Sequence, residues 1–437
     1  VLDMLEVAAE PTRRRLLQLL ALGERTVTQL ASQFPVTRSA ISQHLAVLAE
    51  VGLVAARKQG RERYYRLDER GMLQLRAHFE SFWSDELDRL VVDAAHYTPA
   101  QGEFVMPFEK TVVLPLDPAE TFALITRTDR LRRWMTVAGR VELRNGGAYR
   151  WTVTPGHTAA GTVVDIEPGK KVVFSWGWED DGDPPPGGST VTITLHPVDG
   201  GTEVKLVHDG LTQEQAARHA EGWNHFLDRL VLAGHHGDAG PDDWGAAPDP
   251  LDELSCAEAT LAALQHVLRG FDAAALSAQT PCAKYDVTQL ADHLMGSTTA
   301  IGAAAGAQVP PRDKDAPLET QVADAAQVVL EAWRRRGLDG TVELNSNPVP
   351  AVVPISILSL EFLVHAWDFA HSAGRQVVVS DPVADFVLGV ARQFITPEAR
   401  SGVGFAEPVA IGDDAGVLDQ LIAFTGRQAI VAHVSAK

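Results

Sequence analysis

The stretch from Thr26 to Leu67, TVTQLASQFPVTRSAISQHLAVLAEVGLVAARKQGRERYYRL, reads as a complete winged helix-turn-helix. Thr26 to Phe34 is a short amphipathic helix, Pro35-Val36 makes the turn, and Thr37 stands where an N-cap belongs. A second helix, Arg38 to Glu50, repeats Ile41, Leu45 and Leu48 at three- to four-residue intervals and turns them towards a core. Its opposite face carries Arg38, Ser39, Ser42 and Gln43, side chains that can approach base edges in a major groove. Gly52 ends that helix. Two strands follow, Leu53 to Arg57 and Arg63 to Leu67, joined by the basic tip Lys58-Gln-Gly-Arg61. Arg57, Lys58, Arg61 and Arg63 on such a hairpin suit a phosphate backbone or minor groove. The pattern implies double-stranded operator DNA as a partner.

Outward from this segment, 437 residues suggest about three domains, each large enough for its own core. The boundaries read as 1–95, 104–236 and 250–437, with connectors at 93–103 and in the Gly/Pro/Asp-rich run 234–250, taken as exposed. The formal charge of −19 is unusual for a DNA-binding chain. Its acidity, however, gathers after the wing, in Glu179 to Asp183, Asp238 to Asp252 and Asp413-Asp414. A basic patch on an acidic body keeps non-specific affinity low. The sequence reading finds no signal peptide and no 18-residue apolar run, so the expectation is a cytoplasmic protein with no membrane partner. Cys256 and Cys282 make no disulfide framework, which fits a reducing compartment.

Residues 104–233 alternate with period two between turn residues and close on the long amphipathic helix Thr212 to Leu232. An antiparallel sheet curled around that helix can leave an apolar cavity, and Trp134, Trp151, Trp176, Trp178 and Trp223 are candidates to line it or to fill core. Asp165, Glu167 and His208 sit at strand ends, where solvated polar residues are the norm. Residues 251–437 are mostly helical, with four long helices suggesting a bundle. Glu361 and His365, at i and i+4 in VVPISILSLEFLVHAWDFA, project from one face of an apolar helix, and His293 on another helix could join them. Two histidines and a carboxylate make a zinc-type set with an open position. Glu361, His365, Asp368 and Ser372 also form a stripe that could be a solvent face.

Three resemblances bear on these segments. SAISQHLAVLAEVGLVAARKQGRERYYRL resembles the recognition helix and wing of the ArsR family of bacterial winged-helix repressors, over about the first 90 residues. That likeness implies a homodimer paired through Leu2 to Ala9 and a helix from Met72 to Leu90. With no cysteine before Cys256, it implies no thiolate-bound metal in this domain. PAETFALITRTDRLRRWM, GTVVDIEPGKKVVFSWGW and GTEVKLVHDGL with HAEGWNHFLDRL resemble the SRPBCC helix-grip superfamily, in its subgroup similar to the activator of heat-shock ATPase. The expected effector is a hydrophobic small molecule in the middle cavity, or a thiol at the metal.

TPCAKYDVTQLADHLMG, LEFLVHAWDFAHSAGR and DQLIAFTGR resemble the DinB-like, mycothiol-dependent maleylpyruvate isomerase group, with Tyr285 where a tryptophan is usual. By that resemblance His293, Glu361 and His365 would be metal ligands and Asp368 would hold an imidazole tautomer. Zinc would be the metal, with nickel or another first-row metal as alternatives, and mycothiol a further cofactor. Cys282 reads as a packing residue. The expected architecture is multidomain α and α+β: winged helix, helix-grip sheet wrapped on a long helix, and DinB-like four-helix bundle. The expected function is a ligand-sensing transcription regulator without catalytic residues of its own. The alternative is a metal-assisted, mycothiol-dependent transferase or isomerase fused to an autoregulatory DNA-binding domain.

Overall fold

The structure, a computed structural model, describes residues 4–21, 23–34, 37–60, 62–68, 70–76, 107–180, 182–271, 275–282, 285–397, 400, 405–412 and 414–427. The chain divides into two compact units, Val1–Gly102 and Glu103–Lys437. The middle and last segments, read from the sequence as separate domains, together make the second unit.

In the first unit, α1 (Met4–Ala9) and α2 (Pro11–Ala21) precede a short strand β1 (Arg25–Thr26) and α3 (Val27–Ala31). Thr26 caps α3 through a reciprocal capping box with Gln29, which satisfies two otherwise orphaned amides. Helix α4 (Arg38–Glu50) is capped by Thr37, whose hydroxyl accepts from the Ala40 amide. Gly52, at φ +75°, closes the other end: the Leu53 amide donates to Leu48 and the Gly52 amide to Ala49. This Schellman turn buries Leu48 against Leu53 and sends the chain straight into the wing. The wing strands are β2 (Val54–Gln59) and β3 (Glu62–Leu67), paired from Val54↔Leu67 to Gln59↔Glu62, with β1 on the far side of β3. Leu16, Leu30, Ile41, Leu45 and Leu48 form the core.

The second unit begins with β4 (Phe108–Leu114), α5 (Pro118–Thr126) and α6 (Thr128–Leu131). Strands β5 (Ala138–Val141), β6 (Ala148–Thr154), β7 (His157–Glu167), β8 (Lys171–Trp176), β9 (Ser189–Val198) and β10 (Gly201–Asp209) complete an antiparallel sheet in the order β4-β10-β9-β8-β7-β6-β5. Alternating burial along β8, β9 and β10 gives the sheet one inner face. Helix α7 (Gln213–His236) packs Trp223, Phe226, Leu227 and Leu230 on it. The helix runs on to His236, so the expected exposed connector at 234–250 is partly helix. Beyond it Asp238 pairs with Arg133 and Arg269, and Trp244 stacks on His225.

The bundle comprises α8 (Glu253–Leu268), α9 (Val287–Ala304), α10 (Leu318–Arg336) and α11 (Val352–Ser372), with α8 beside α10 and α11 and α9 beside the same two. A hairpin of β11 (Thr341–Leu344) and β12 (Asn347–Pro350), then α12 (Asp381–Phe394) and α13 (Val417–Phe424), were not foreseen. Contrary to the sequence reading, α11 is long and apolar enough to cross a membrane, but most of it is buried among the other helices, as befits a core helix.

The sheet shares a core with the bundle. Val137 and Ala138, at the sheet edge, belong to the cluster built on Leu261, Leu294, Val329 and Phe362. Strand β6 is buried along both faces, Arg150 and Thr152 included. Buried charges lock the seam. Arg132 donates to both oxygens of Glu319 at 2.9 and 3.4 Å, and Glu258 accepts from the Gly156 amide at 2.8 Å and from Arg334 at 2.7 Å.

Removing one partner of a buried ion pair strands the other charge. The Glu319→Ala variant is therefore expected to lose about 3–5 kcal/mol of stability, while Arg132→Met with Glu319→Leu recovers most of it. Denaturant unfolding of the two variants beside the parent protein checks this.

Candidate functional site

The recognition helix leaves the face singled out in the sequence free. Thr37, Arg38, Ser39, Ser42 and Gln43 are exposed on one side of α4, while Ile41, Leu45 and Leu48 are buried on the other. Lys58 and Arg63 are exposed on the wing; Arg61 lies outside the described residues, as do residues 77–90 of the expected pairing helix. Arg57 is differently placed. Its guanidinium forks onto Glu24, with Nε 2.7 Å from Oε1, and lies over the Tyr64 ring. It thus braces the wing against the start of β1, while Lys58 and Arg63 are exposed.

In the sheet domain a cavity of about 320 Å³ opens between α7 and the inner face. Trp176, Trp178 and Trp223 line it, as the sequence suggested for them, and Trp244 from the connector joins them. Trp134 and Trp151 do not. Both are core residues, Trp134 donating to the Leu124 carbonyl and Trp151 packed between Tyr149 and Phe174. His157, Asp183, Arg218, His219 and Glu221 also line it, so aromatic walls are joined by polar groups.

His208, expected to be solvated, is wholly buried. Trp223 Nε1 donates to its Nδ1 at 2.9 Å, so the proton sits on Nε2, 2.8 Å from Ser189 Oγ, and that hydroxyl donates to the Trp176 carbonyl. This relay fixes a neutral imidazole behind two cavity tryptophans. Burial, aided by the nearby His219, pushes its pKa down to about 3. Asp165 and Glu167 are surface partners of Lys171.

The third region brings His293 from α9 together with Glu361 and His365 from α11. One donor atom from each lies within 4.8 Å of the other two. His293 Nε2 is 3.2 Å and His365 Nε2 3.5 Å from Glu361 Oε2. That oxygen is buried and has no hydrogen-bonding donor of good geometry. A buried carboxylate oxygen flanked by two imidazole nitrogens is the donor chemistry a divalent cation satisfies, so these residues fit such an ion. Burial alone would raise the Glu361 carboxyl, but the two imidazoles override it and hold it well below the usual carboxylate range.

Behind the centre, Asp368 accepts from His365 Nδ1 at 2.9 Å, and its carboxylate is clasped by Arg427. Tyr285 stacks on the outward side of His293, 5.2 Å between ring centres. Cys282 is buried, and burial pushes the Cys256 thiol up to about 12, so neither reads as a nucleophile. The sequence reading missed Arg427, because nothing in a single Thr-Gly-Arg run says which distant carboxylate it meets.

Two family models match the first two regions. Residues 10–56 match the family model of the bacterial regulatory protein, arsR family, and residues 115–233 match that of the activator of Hsp90 ATPase homolog 1-like protein. An HTH-type transcriptional regulator of Mycobacterium tuberculosis is 42% identical over 82 residues, 19% of this chain and 77% of its own. An uncharacterized protein of the same species is 30% identical over 181 residues, 41% of this chain and 98% of its own. A solved structure described as a possible transcriptional regulator for arsenical resistance is 72% identical, covering 21% of this chain and 97% of its own at a TM-score of 0.20.

A histidine held neutral in the fold makes stability depend on acid. In the unfolded chain His208 titrates near its ordinary 6.5, whereas folded it stays neutral down to about 3. Its contribution is whole above pH 6.5 and lost as pH falls between those limits, by about 1.4 kcal/mol per pH unit. Urea unfolding between pH 7 and 4 should show a slope one proton steeper for the parent protein than for His208→Asn.

Proposed function

Because the chain belongs to the arsR family of bacterial regulators and carries a domain like the activator of Hsp90 ATPase, we propose that it is a cytoplasmic, homodimeric transcription regulator. Its sensing parts are the aromatic cavity and the metal-holding bundle. The observation that carries the reading is the exposed polar face of α4 beside a wing whose Lys58 and Arg63 face solvent. Arg38, Ser39, Ser42 and Gln43 would read base edges, and the wing cations would hold the phosphate backbone. Two copies related by a two-fold axis would engage two half-sites about one helical turn apart.

The effector is a hydrophobic, aromatic-stacking small molecule. Trp176, Trp178 and Trp223 supply three walls, and the size suits a molecule of one or two rings. Occupancy releases DNA to the extent that the ligand prefers a dimer mismatched to the operator.

The bundle is DinB-like in this reading, with His293, Glu361 and His365 holding zinc or another first-row divalent ion. A bound ion of this kind supplies a Lewis acid able to ionise a thiol such as mycothiol. The chain's own residues fix the site: Asp368 holds the His365 tautomer and Tyr285 shields one face of His293. A second reading, a mycothiol-dependent transferase or isomerase with an autoregulatory DNA-binding domain, is favoured by one observation. His293 is about one-third exposed, so the centre opens to solvent.

Two measurements check these assignments. On a duplex selected from a random pool, Gln43→Ala should cost about 1–3 kcal/mol and relax preference at one position. Lys58→Ala should instead weaken all sequences alike and lower the salt slope by about 1. The purified protein should carry about one zinc-class ion per chain, absent from His293→Ala and Glu361→Ala. Thiol-adduct turnover abolished by His293→Ala would favour the enzyme; ligand-dependent loss of DNA without turnover would favour the regulator.

A further inference from the structure

We infer that Arg427 is a positioning residue of the His293–Glu361–His365 centre, which makes the C-terminal segment part of that centre's frame. The zinc arm of the argument rests on the metal reading above; the orientation arm does not.

Arg427 lies 59 residues beyond Asp368 in sequence, yet its Nε is 2.8 and 3.0 Å from the two carboxylate oxygens and its Nη2 is 2.9 Å from Oδ2. Asp368 has no exposed surface, and His365 and Arg427 have almost none. Such a carboxylate needs a cation, and a guanidinium fork settles its plane as well as its charge. With the plane settled, Oδ2 faces His365 Nδ1, which donates to it at 2.9 Å. Nδ1 is thereby the nitrogen that meets Asp368, and Nε2 is the one turned to Glu361, 3.5 Å from its Oε2. The orientation of one donor of the centre thus passes from Arg427 through Asp368 to His365.

Local structure delivers the arginine there. Helix α13 ends in a Schellman turn in which Gly426 adopts φ +79° and the Arg427 amide donates to Ile422. A Cβ on Gly426 would come within 2.5 Å of the Ala406 carbonyl oxygen, so no other residue fits. Arg400 independently holds the same segment by donating to the Ala406 and Phe424 carbonyls, without touching Asp368. It is the natural control, since it shares the docking and not the relay.

The experiment uses the full chain and three variants, Arg427→Met, Arg427→Lys and Arg400→Met, each first shown to be folded by circular dichroism. In metal-free protein labelled with ¹⁵N-histidine, His365 should be the Nδ1–H tautomer in the parent and in Arg400→Met, and should lose that preference in Arg427→Met. Zinc affinity, by chelator competition, should fall about 10- to 100-fold in Arg427→Met, less in Arg427→Lys, and within about two-fold of parent in Arg400→Met. If Arg427→Met keeps both tautomer and affinity, or if Arg400→Met loses them equally, the positioning role is overturned. If the parent binds no zinc while the tautomer still follows Arg427, the metal reading fails and the positioning role stands.

Discussion

A carboxylate taken out of water has to be answered by a cation, and the second unit meets this demand between segments far apart in the chain. Glu319 on α10 is answered by Arg132 beside the sheet, Glu258 on α8 by Arg334 on α10, and Asp368 on α11 by Arg427 after α13. Each pair joins surfaces that apolar contact alone would let slide. The first is the most consequential. It pins the sheet edge to the bundle where Val137 and Ala138 enter the bundle's core, and so sets the wall against which the rest of the sheet and α7 are arranged.

Glu361 departs from this rule, and the departure marks the site. The three carboxylates just named meet guanidinium groups, whose charge is permanent. Glu361 meets two imidazoles instead, and one of these is already committed on its far side to Asp368. An imidazole, unlike a guanidinium, can also present a lone pair, which is what a divalent cation takes up. In the sheet domain the same economy appears in neutral form. His208 is tied at both nitrogens, so the tryptophans around the cavity rest on a group that neither charges nor rotates at ordinary pH.

What the sequence made legible follows the range of the interactions involved. The winged helix was readable nearly whole, because caps, helical periodicity and the Gly52 turn are local. Most strands of the sheet and the four long helices of the bundle were readable for the same reason, though β5 was not. Glu361 and His365 share a helix, so their pairing was visible; His293, on another helix, was a candidate whose meeting with them depends on how the bundle packs. What could not be read was long-range. The Glu24 clasp that takes up Arg57, the burial of His208, the sharing of one core by sheet and bundle, and Arg427 all depend on which residues meet after folding. The tryptophans divide likewise: alternation along β6 and β8 gives Trp151 and Trp176 a face, but only the folded sheet separates Trp176 and Trp178 at the cavity from Trp134 and Trp151 in the core.

The common core of sheet and bundle has a bearing on how such a chain could be assembled in evolution. Strand β6 has no face left for solvent, and the sheet edge supplies apolar side chains to its neighbour. A gene fragment encoding the sheet alone would therefore expose a seam of apolar and charged groups, and one encoding the bundle alone would leave Glu319 without its arginine. Recombination that cuts between these two would be penalised, whereas a cut near residue 102 separates units with their own cores. In this chain, then, the winged helix carries a core of its own, whereas sheet and bundle each complete the other's seam.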